Sequence, residues 1–158
     1  GINTPTISLS SNGVLFFGQN ASTSWINTGL PANISNDAML FFFWDDLQDF
    51  GTGEYLEYAT FGTAPGRVFN LYFRSRLHDT AVCGSNAVNL MISIHESSGL
   101  MKVTYSGFSG CANIRGSGAT FGFQTPGGAN AAAFMVGYNA PVLDDNATNQ
   151  NMCFHPPN

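Results

Sequence analysis

The residues that could do chemistry are concentrated in one acidic stretch of the chain. Five carboxylates stand there with no basic residue among them: Asp45, Asp46, Asp49, Glu54 and Glu57. Clustered carboxylates repel one another unless a cation joins them, and Ca²⁺ takes about six to eight oxygen ligands. The stretch therefore suggests a calcium site, and we predict no other cofactor. The alternative is an exposed acidic loop with Arg67, Arg74 or Arg76 nearby.

The same carboxylates allow a second interpretation, because glycoside hydrolases use a pair of Asp or Glu side chains. Spacing in sequence does not fix the separation of two carboxyl groups. Elsewhere, the segment 107–110 departs from the Gly-x-Ser-x-Gly nucleophile elbow. His95-Glu96 lacks the second histidine of a zinc-protease helix. We therefore expect no enzymatic activity.

Aromatic residues offer a third kind of site. A surface for stacking sugar rings could be built from Trp25, Trp44, Tyr55 and Tyr58. Aromatic residues on strands are more often core residues or cross-strand pairs. A carbohydrate-binding, lectin-like module is therefore kept as an alternative function, with glycans as its partners.

The cysteines indicate one disulfide bond. Two neighbouring segments read as strands of a hairpin: Val88–Ile94 and Leu100–Tyr105. Folding the hairpin with Ile94 opposite Met101 brings Cys83 near Cys111, beyond its open ends. Of the three pairings that three cysteines allow, we predict Cys83–Cys111. Such a bond favours an oxidising compartment.

The two ends of the chain suggest assembly. Residues 1–10 read as an extended arm that Pro5 confines to a sheet edge. The arm can pair within its own sheet or add a strand to a neighbouring subunit. Cys153 is left over, either as a buried free thiol or as an intermolecular bridge. Other chains, including copies of the same chain in a fibre or pilus-like filament, are therefore expected partners.

Modification and targeting signals fit a secreted chain. N-glycosylation sequons begin at Asn20, Asn33 and Asn146. The charged and apolar regions of a signal peptide are not seen from Gly1 onward. We expect either that a signal has been removed or that the sequence is a piece of a longer chain.

Eight short segments that must position these residues read as strands, separated by Gly-, Pro- and Asn-rich turns. They are Val14–Phe17, Ala38–Trp44, Tyr55–Thr60, Val68–Ser75, Ala87–His95, Leu100–Tyr105, Ala119–Gln124 and Phe134–Tyr138. Met39–Trp44 is apolar throughout, which predicts a central strand covered on both faces. The pattern predicts an all-β fold, an antiparallel sandwich of the jelly-roll or Ig-like type with about eight strands.

Composition limits the partners. The chain has 158 residues, which predicts a single domain over residues 1–158. Charged residues make up 9%, against about 25% in an average soluble domain. The net charge is −5 and Lys102 is the only lysine, so there is no basic stripe to neutralise nucleic-acid phosphates. The sequence contains no run of about eighteen apolar residues, so we predict no membrane-spanning helix.

Several pieces, taken in order, resemble one family of extracellular modules. They are residues 12–18, Leu30-Pro31, Leu40-Phe-Phe-Phe-Trp-Asp-Asp-Leu47, residues 62–74, Leu90–Glu96 with Met101–Tyr105, and Ala119-Thr-Phe-Gly-Phe123. Their order and spacing are similar to those of nidogen-type (NIDO-like) domains and their bacterial secreted and surface relatives. The resemblance covers roughly residues 10–140. This chain departs from the family pattern in its cysteines.

The resemblance implies an extracellular β-sandwich that serves adhesion or matrix assembly as a non-catalytic part. It supplies no catalytic residues to carry over. We therefore expect a secreted or cell-surface structural protein that acts through surface contacts.

Overall fold

The computed structural model describes residues 6–19, 21–48, 53–108, 111–144 and 147–155. Ten strands form two antiparallel sheets of five, which confirms the all-β sandwich. The strands are β1 (Ser8–Ser10), β2 (Val14–Phe17), β3 (Ala38–Trp44), β4 (Tyr55–Phe61), β5 (Val68–Arg76), β6 (Ala87–His95), β7 (Met101–Ser106), β8 (Thr120–Gln124), β9 (Ala133–Tyr138) and β10 (Asn149–Phe154). A short helix, α1 (Thr80–Cys83), and a 3₁₀ turn at Gly128–Asn130 lie between strands. No helix in these ranges could cross a membrane.

The strand order shows how the chain divides between the two sheets. The first sheet has the order β1-β2-β3-β8-β9, and the second has the order β10-β7-β6-β5-β4. Strands β4 to β7 form a continuous meander, after which the chain returns to the first sheet and ends in the second. Because every neighbouring pair is antiparallel, residues paired across two strands project from the same face of a sheet.

All eight predicted strands are present, and two more join them. The N-terminal arm forms β1, which pairs with β2 inside its own sheet, with Ser8 opposite Phe16. Residues 1–5 of the arm lie outside the described residues. Strand β10 was missed because Asn149, Gln150 and Asn151 are types depleted in strands. The number of strands is therefore ten rather than about eight.

Strand β3 is buried on both faces, as predicted. Phe42 and Phe43 both enter the main core between the sheets, although successive residues of a strand normally alternate. A β-bulge permits this arrangement: the N–H groups of Phe42 and Phe43 both donate to the carbonyl of Gly13, at 3.1 and 3.2 Å. Trp44 points the other way, into a smaller apolar cluster on the outer side of the first sheet.

The loop between β2 and β3 covers that outer cluster. The indole N–H of Trp44 donates to the carbonyl of Ser24 at 2.9 Å, and the Thr120 hydroxyl donates to the carbonyl of Thr28 at 2.7 Å. The buried Gln124 amide bonds both backbone groups of Ala32, at 2.8 and 3.0 Å. The central strands β3 and β8 of the first sheet are therefore covered on both sides.

The second sheet is different, because its outer side chains are mostly half-buried or exposed. We call this outer surface of β4, β5, β6, β7 and β10 the open face. On β5, for example, Leu71 and Phe73 are buried in the core, whereas Tyr72 and Arg74 alternate with them on the open face.

Candidate functional site

Asp45 follows directly after β3, and its carboxyl group has a perturbed pKa. The pKa of its carboxyl group is raised from 3.8 to about 6, mainly because burial disfavours the charged form and to a smaller extent because of the neighbouring Asp46 charge. A hydrogen bond from the Asp46 N–H to Asp45 Oδ1, at 2.8 Å, acts in the opposite direction. A carboxyl group of this kind favours a proton or a cation as its partner.

The other described carboxylates of the stretch have separate surroundings. Glu54 is buried and forms an ion pair with Arg76, which is one of the arginines that the sequence offered. Asp46 Oδ2 lies 3.7 Å from Nδ1 of His78. Glu57 projects from β4 on the open face, paired in register with Tyr72.

These positions bear on the predicted calcium site. Across the described ranges, no three His, Cys, Asp or Glu side chains form a group that could hold a metal ion. Asp49 lies outside those ranges. The site therefore stays a prediction, and Asp45 and Asp46 are the described residues on which it depends.

The predicted disulfide is confirmed. Cys83 ends helix α1 and is bonded to Cys111, with the Cα atoms 5.9 Å apart. The hairpin register on which the prediction rested, Ile94 opposite Met101, is also present. Cys153 is exposed on β10, opposite Lys102, so the buried-thiol interpretation is wrong.

The four aromatic residues predicted as a sugar-stacking surface do not share one face. Trp44 is fully buried, and Trp25 lies on the loop that covers the first sheet. Tyr55 projects from the open face, whereas Tyr58 projects from the opposite side of β4, because strand residues alternate. That prediction is wrong in its geometry.

A smaller aromatic cluster replaces it on the open face. The rings of Tyr55 and Tyr72 stack with their centroids 5.4 Å apart. The guanidinium carbon of Arg74 lies 5.9 Å from the Tyr55 ring centroid. The sequence analysis missed Tyr72, although its alternation with Leu71 and Phe73 placed it on the outer side of β5.

Of the three predicted glycosylation sites, the structure describes one. Asn33 is exposed in a turn of the loop between β2 and β3. Asn20 and Asn146 lie outside the described residues. Glycosylation stays a prediction at all three.

The outer edge of the first sheet is apolar and is exposed in the part of the chain that the structure describes. Its last strand, β9, exposes large apolar side chains: Phe134 at 65%, Met135 at 47%, Tyr138 at 42% and Val136 at 40%. The strand Ala133–Tyr138 contains no charged residue and no proline. No described strand pairs with the outer side of β9, and we call this strand the β9 edge.

The family comparison covers the whole chain. Residues 1–158 match the family described as NIDO related. The chain matches no curated protein and no solved structure. The family match agrees with the resemblance that the sequence motifs indicate. The chain belongs to the NIDO-related family.

Proposed function

We propose that this domain is a non-catalytic structural or adhesion module that acts outside the cell through contacts with other protein chains, including copies of itself. The β9 edge carries the proposal. Proteins usually protect a sheet edge with charges, proline or a covering segment. The β9 edge lacks charges and proline, and it presents four large apolar side chains.

An edge of this kind can receive a strand from another chain. Backbone hydrogen bonds give such strand addition its affinity, and alternating side chains give it specificity. In a homopolymer, Cys153 could join subunits covalently, because it is exposed on β10 at an end of the second sheet. A fibre or pilus-like filament is the assembled form that we propose.

The extracellular part of the proposal rests on separate features. The Cys83–Cys111 disulfide fits an oxidising compartment. The low charged fraction of 9% fits a surface that depends on Asn, Ser, Thr and Gly for solubility. Membership of the NIDO-related family agrees with an extracellular location.

The experiment measures self-association by sedimentation velocity over a range of concentrations, with Cys153→Ser to prevent covalent bridging. We expect the Cys153→Ser protein to associate reversibly. Adding Phe134→Lys should weaken association at least about tenfold, because a charge at a strand edge opposes pairing. Ile26→Lys is the matched control, since Ile26 is equally exposed at 61% but lies outside β9.

Ile26→Lys should associate like the parent protein. A parent protein that stays monomeric at the highest attainable concentration would contradict the self-association form of the proposal. An equal effect of both lysine variants would contradict the assignment to the β9 edge.

A further inference from the structure

The open face holds most of the basic residues of an acidic chain. Three of the five Lys and Arg residues, Arg74, Arg76 and Lys102, project from it. Among the strands that form this face, Glu57 is the one acidic residue, although the whole chain has ten acids. The net charge is −5. The strands of the open face therefore carry more basic than acidic residues, on a negatively charged protein.

Two of these cations are available to a ligand. Arg76 is paired with Glu54, but neither Arg74 nor Lys102 forms an ion pair with a described residue. The Nε atom of Arg74 is buried without a hydrogen-bond partner among the described residues, so a ligand would meet the outer nitrogens of its guanidinium group. The Tyr55 ring lies beside its guanidinium group, which restricts the side chain before any ligand arrives.

Most of the side chains near Arg74 on the open face are polar and uncharged; the charged ones are Arg76, which is paired with Glu54, and Glu57, which is opposite Tyr72. Strand register places Asn89 beside Arg74 on β6, and Ser106 beside Asn89 on β7. One row further along, Thr104 lies beside Asn151, and their side chains are hydrogen-bonded at 2.8 Å. Neighbouring strands lie about 4.8 Å apart, so these amide and hydroxyl groups form a spaced array of donors and acceptors. Met91, which is 37% exposed and lies opposite both Tyr72 and Thr104, interrupts the array with one apolar side chain.

We infer that the open face binds an acidic glycan, a polysaccharide whose sugar units carry carboxylates, with Arg74 and Lys102 as the cationic contacts. The hydroxyls of such a chain match the amides and hydroxyls of the face, and its carboxylates match the two free cations. Duplex DNA is the competing polyanion in the test, because it offers phosphates without the many hydroxyl groups of a polysaccharide. This inference goes beyond the proposed function, since it uses another surface and a ligand that is not a protein.

The test uses polygalacturonate as the acidic probe and fully methyl-esterified polygalacturonate as its neutral match. Binding is measured by calorimetry at pH 7 with EDTA present, on the full chain carrying Cys153→Ser. We expect binding to the acidic probe, no binding to the ester, and weaker binding as salt is raised. Arg74→Gln and Lys102→Gln should each weaken binding at least about threefold, and the double variant about tenfold.

Arg67→Gln is the matched control, because it removes the same charge from an exposed pair with Glu96 at the end of the second sheet. Arg67→Gln should bind the acidic probe like the parent protein. Arg74→Lys should keep part of the parent's affinity for that probe. Equal binding of both probes, no binding of either, or an equal loss in Arg67→Gln would overturn the inference. Competition by duplex DNA as strong as that by the acidic probe would also overturn it. Phe134→Lys should leave glycan binding unchanged, which separates this test from the test of self-association.

Discussion

Asp45 shows how one residue can make the stability of the domain depend on pH. Its pKa is about 6 when folded and 3.8 in the reference state, so the unfolded chain binds fewer protons between these values. The contribution of Asp45 to stability is therefore most favourable below about pH 4 and is lost as the pH rises through 6. Because the group is partly solvated, we expect a change on the order of 1–2 kcal/mol.

Asp45→Asn should remove this dependence, because an amide oxygen can still accept the Asp46 N–H. We expect the variant to be more stable than the parent at pH 7.5 and equal to it near pH 4, by urea unfolding in EDTA. Asp79→Asn is the control, since Asp79 is exposed and also accepts one backbone N–H, from Ala81 at 2.9 Å. If Asp45→Asn raised the free energy of unfolding equally at both pH values, the pH dependence would not come from the Asp45 carboxyl group.

The calcium prediction is also tested at Asp45. A bound Ca²⁺ would replace the missing proton and stabilise the folded state by mass action. Millimolar calcium should then raise the melting temperature of the parent protein but not that of Asp45→Asn, while Asp79→Asn keeps the response. Identical melting curves in calcium and in EDTA would contradict the site.

Side-chain pairing shows what the sequence could and could not predict at this scale. The sequence named Arg76 as one of three arginines that might neutralise the acidic stretch, but it could not choose among them. The choice depends on register: Tyr55 is opposite Arg74, which places Glu54, one residue before β4, level with Ser75 and within reach of Arg76. The stacking of Tyr55 on Tyr72 was missed for the same reason.

The strands themselves were largely predictable, because period-two alternation and turn residues are local signals. Val14–Phe17, Ala38–Trp44 and Ala87–His95 have their predicted bounds. Strand β10 was hidden because Asn149, Gln150 and Asn151 leave only Met152 and Phe154 to show an apolar alternation, which is too short to recognise. Which strands lie at the edges was not predictable, since it depends on pairing between distant segments.

The disulfide joins two connections that flank the β6–β7 hairpin. Cys83 and Cys111 are 28 residues apart, and closing a loop of that size restricts the unfolded chain by about 3–4 kcal/mol. Replacing both cysteines by serine should lower the free energy of unfolding by about this amount in denaturant titrations. Cys153→Ser should have no effect on stability. Equal stability of the double variant and the parent would show that the bond adds nothing.

Gly13 is required by the bulge in β3. It has a φ of 79°, and a Cβ atom there would lie 1.9 Å from the Phe43 carbonyl oxygen. Gly13→Ala should therefore cost about 3 kcal/mol or more. Gly53→Ala is a matched control, with a φ of 93° but nothing within 4 Å of the added atom, so it should cost only about 1–2 kcal/mol. Similar losses of folding free energy in the two variants would show that the contact between the added Cβ atom and the Phe43 carbonyl is not the cause.

At the scale of the whole molecule, the two sheets have unlike surroundings. The sequence indicated that β3 is covered on both faces, but it could not show what covers it. The loop between β2 and β3 has no apolar period, and its contacts reach residues about ninety positions away, such as Thr120 and Gln124. The open face could not be recognised before this asymmetry was known.

The exposed position of Cys153 leads to a prediction about assembly. Without reductant, concentrated protein should form a covalent dimer that is visible on a non-reducing gel and disappears with dithiothreitol. Cys153→Ser should stay a single chain under the same conditions, and the internal Cys83–Cys111 bond should be unaffected. A dimer band that persists in Cys153→Ser would contradict this assignment.

The pairing of Gln124 with Ala32 has a further consequence. The Gln124 amide donates to the Ala32 carbonyl and accepts from the Ala32 N–H, as a neighbouring strand would do. The Gln124 side chain thus forms the pair of hydrogen bonds that a strand residue would form, and these bonds hold the covering loop against β8. Opening the loop would leave these buried polar groups without partners and uncover the apolar cluster around Trp44. The loop and the first sheet are therefore one cooperative unit, in which local unfolding of the loop requires fraying of the sheet.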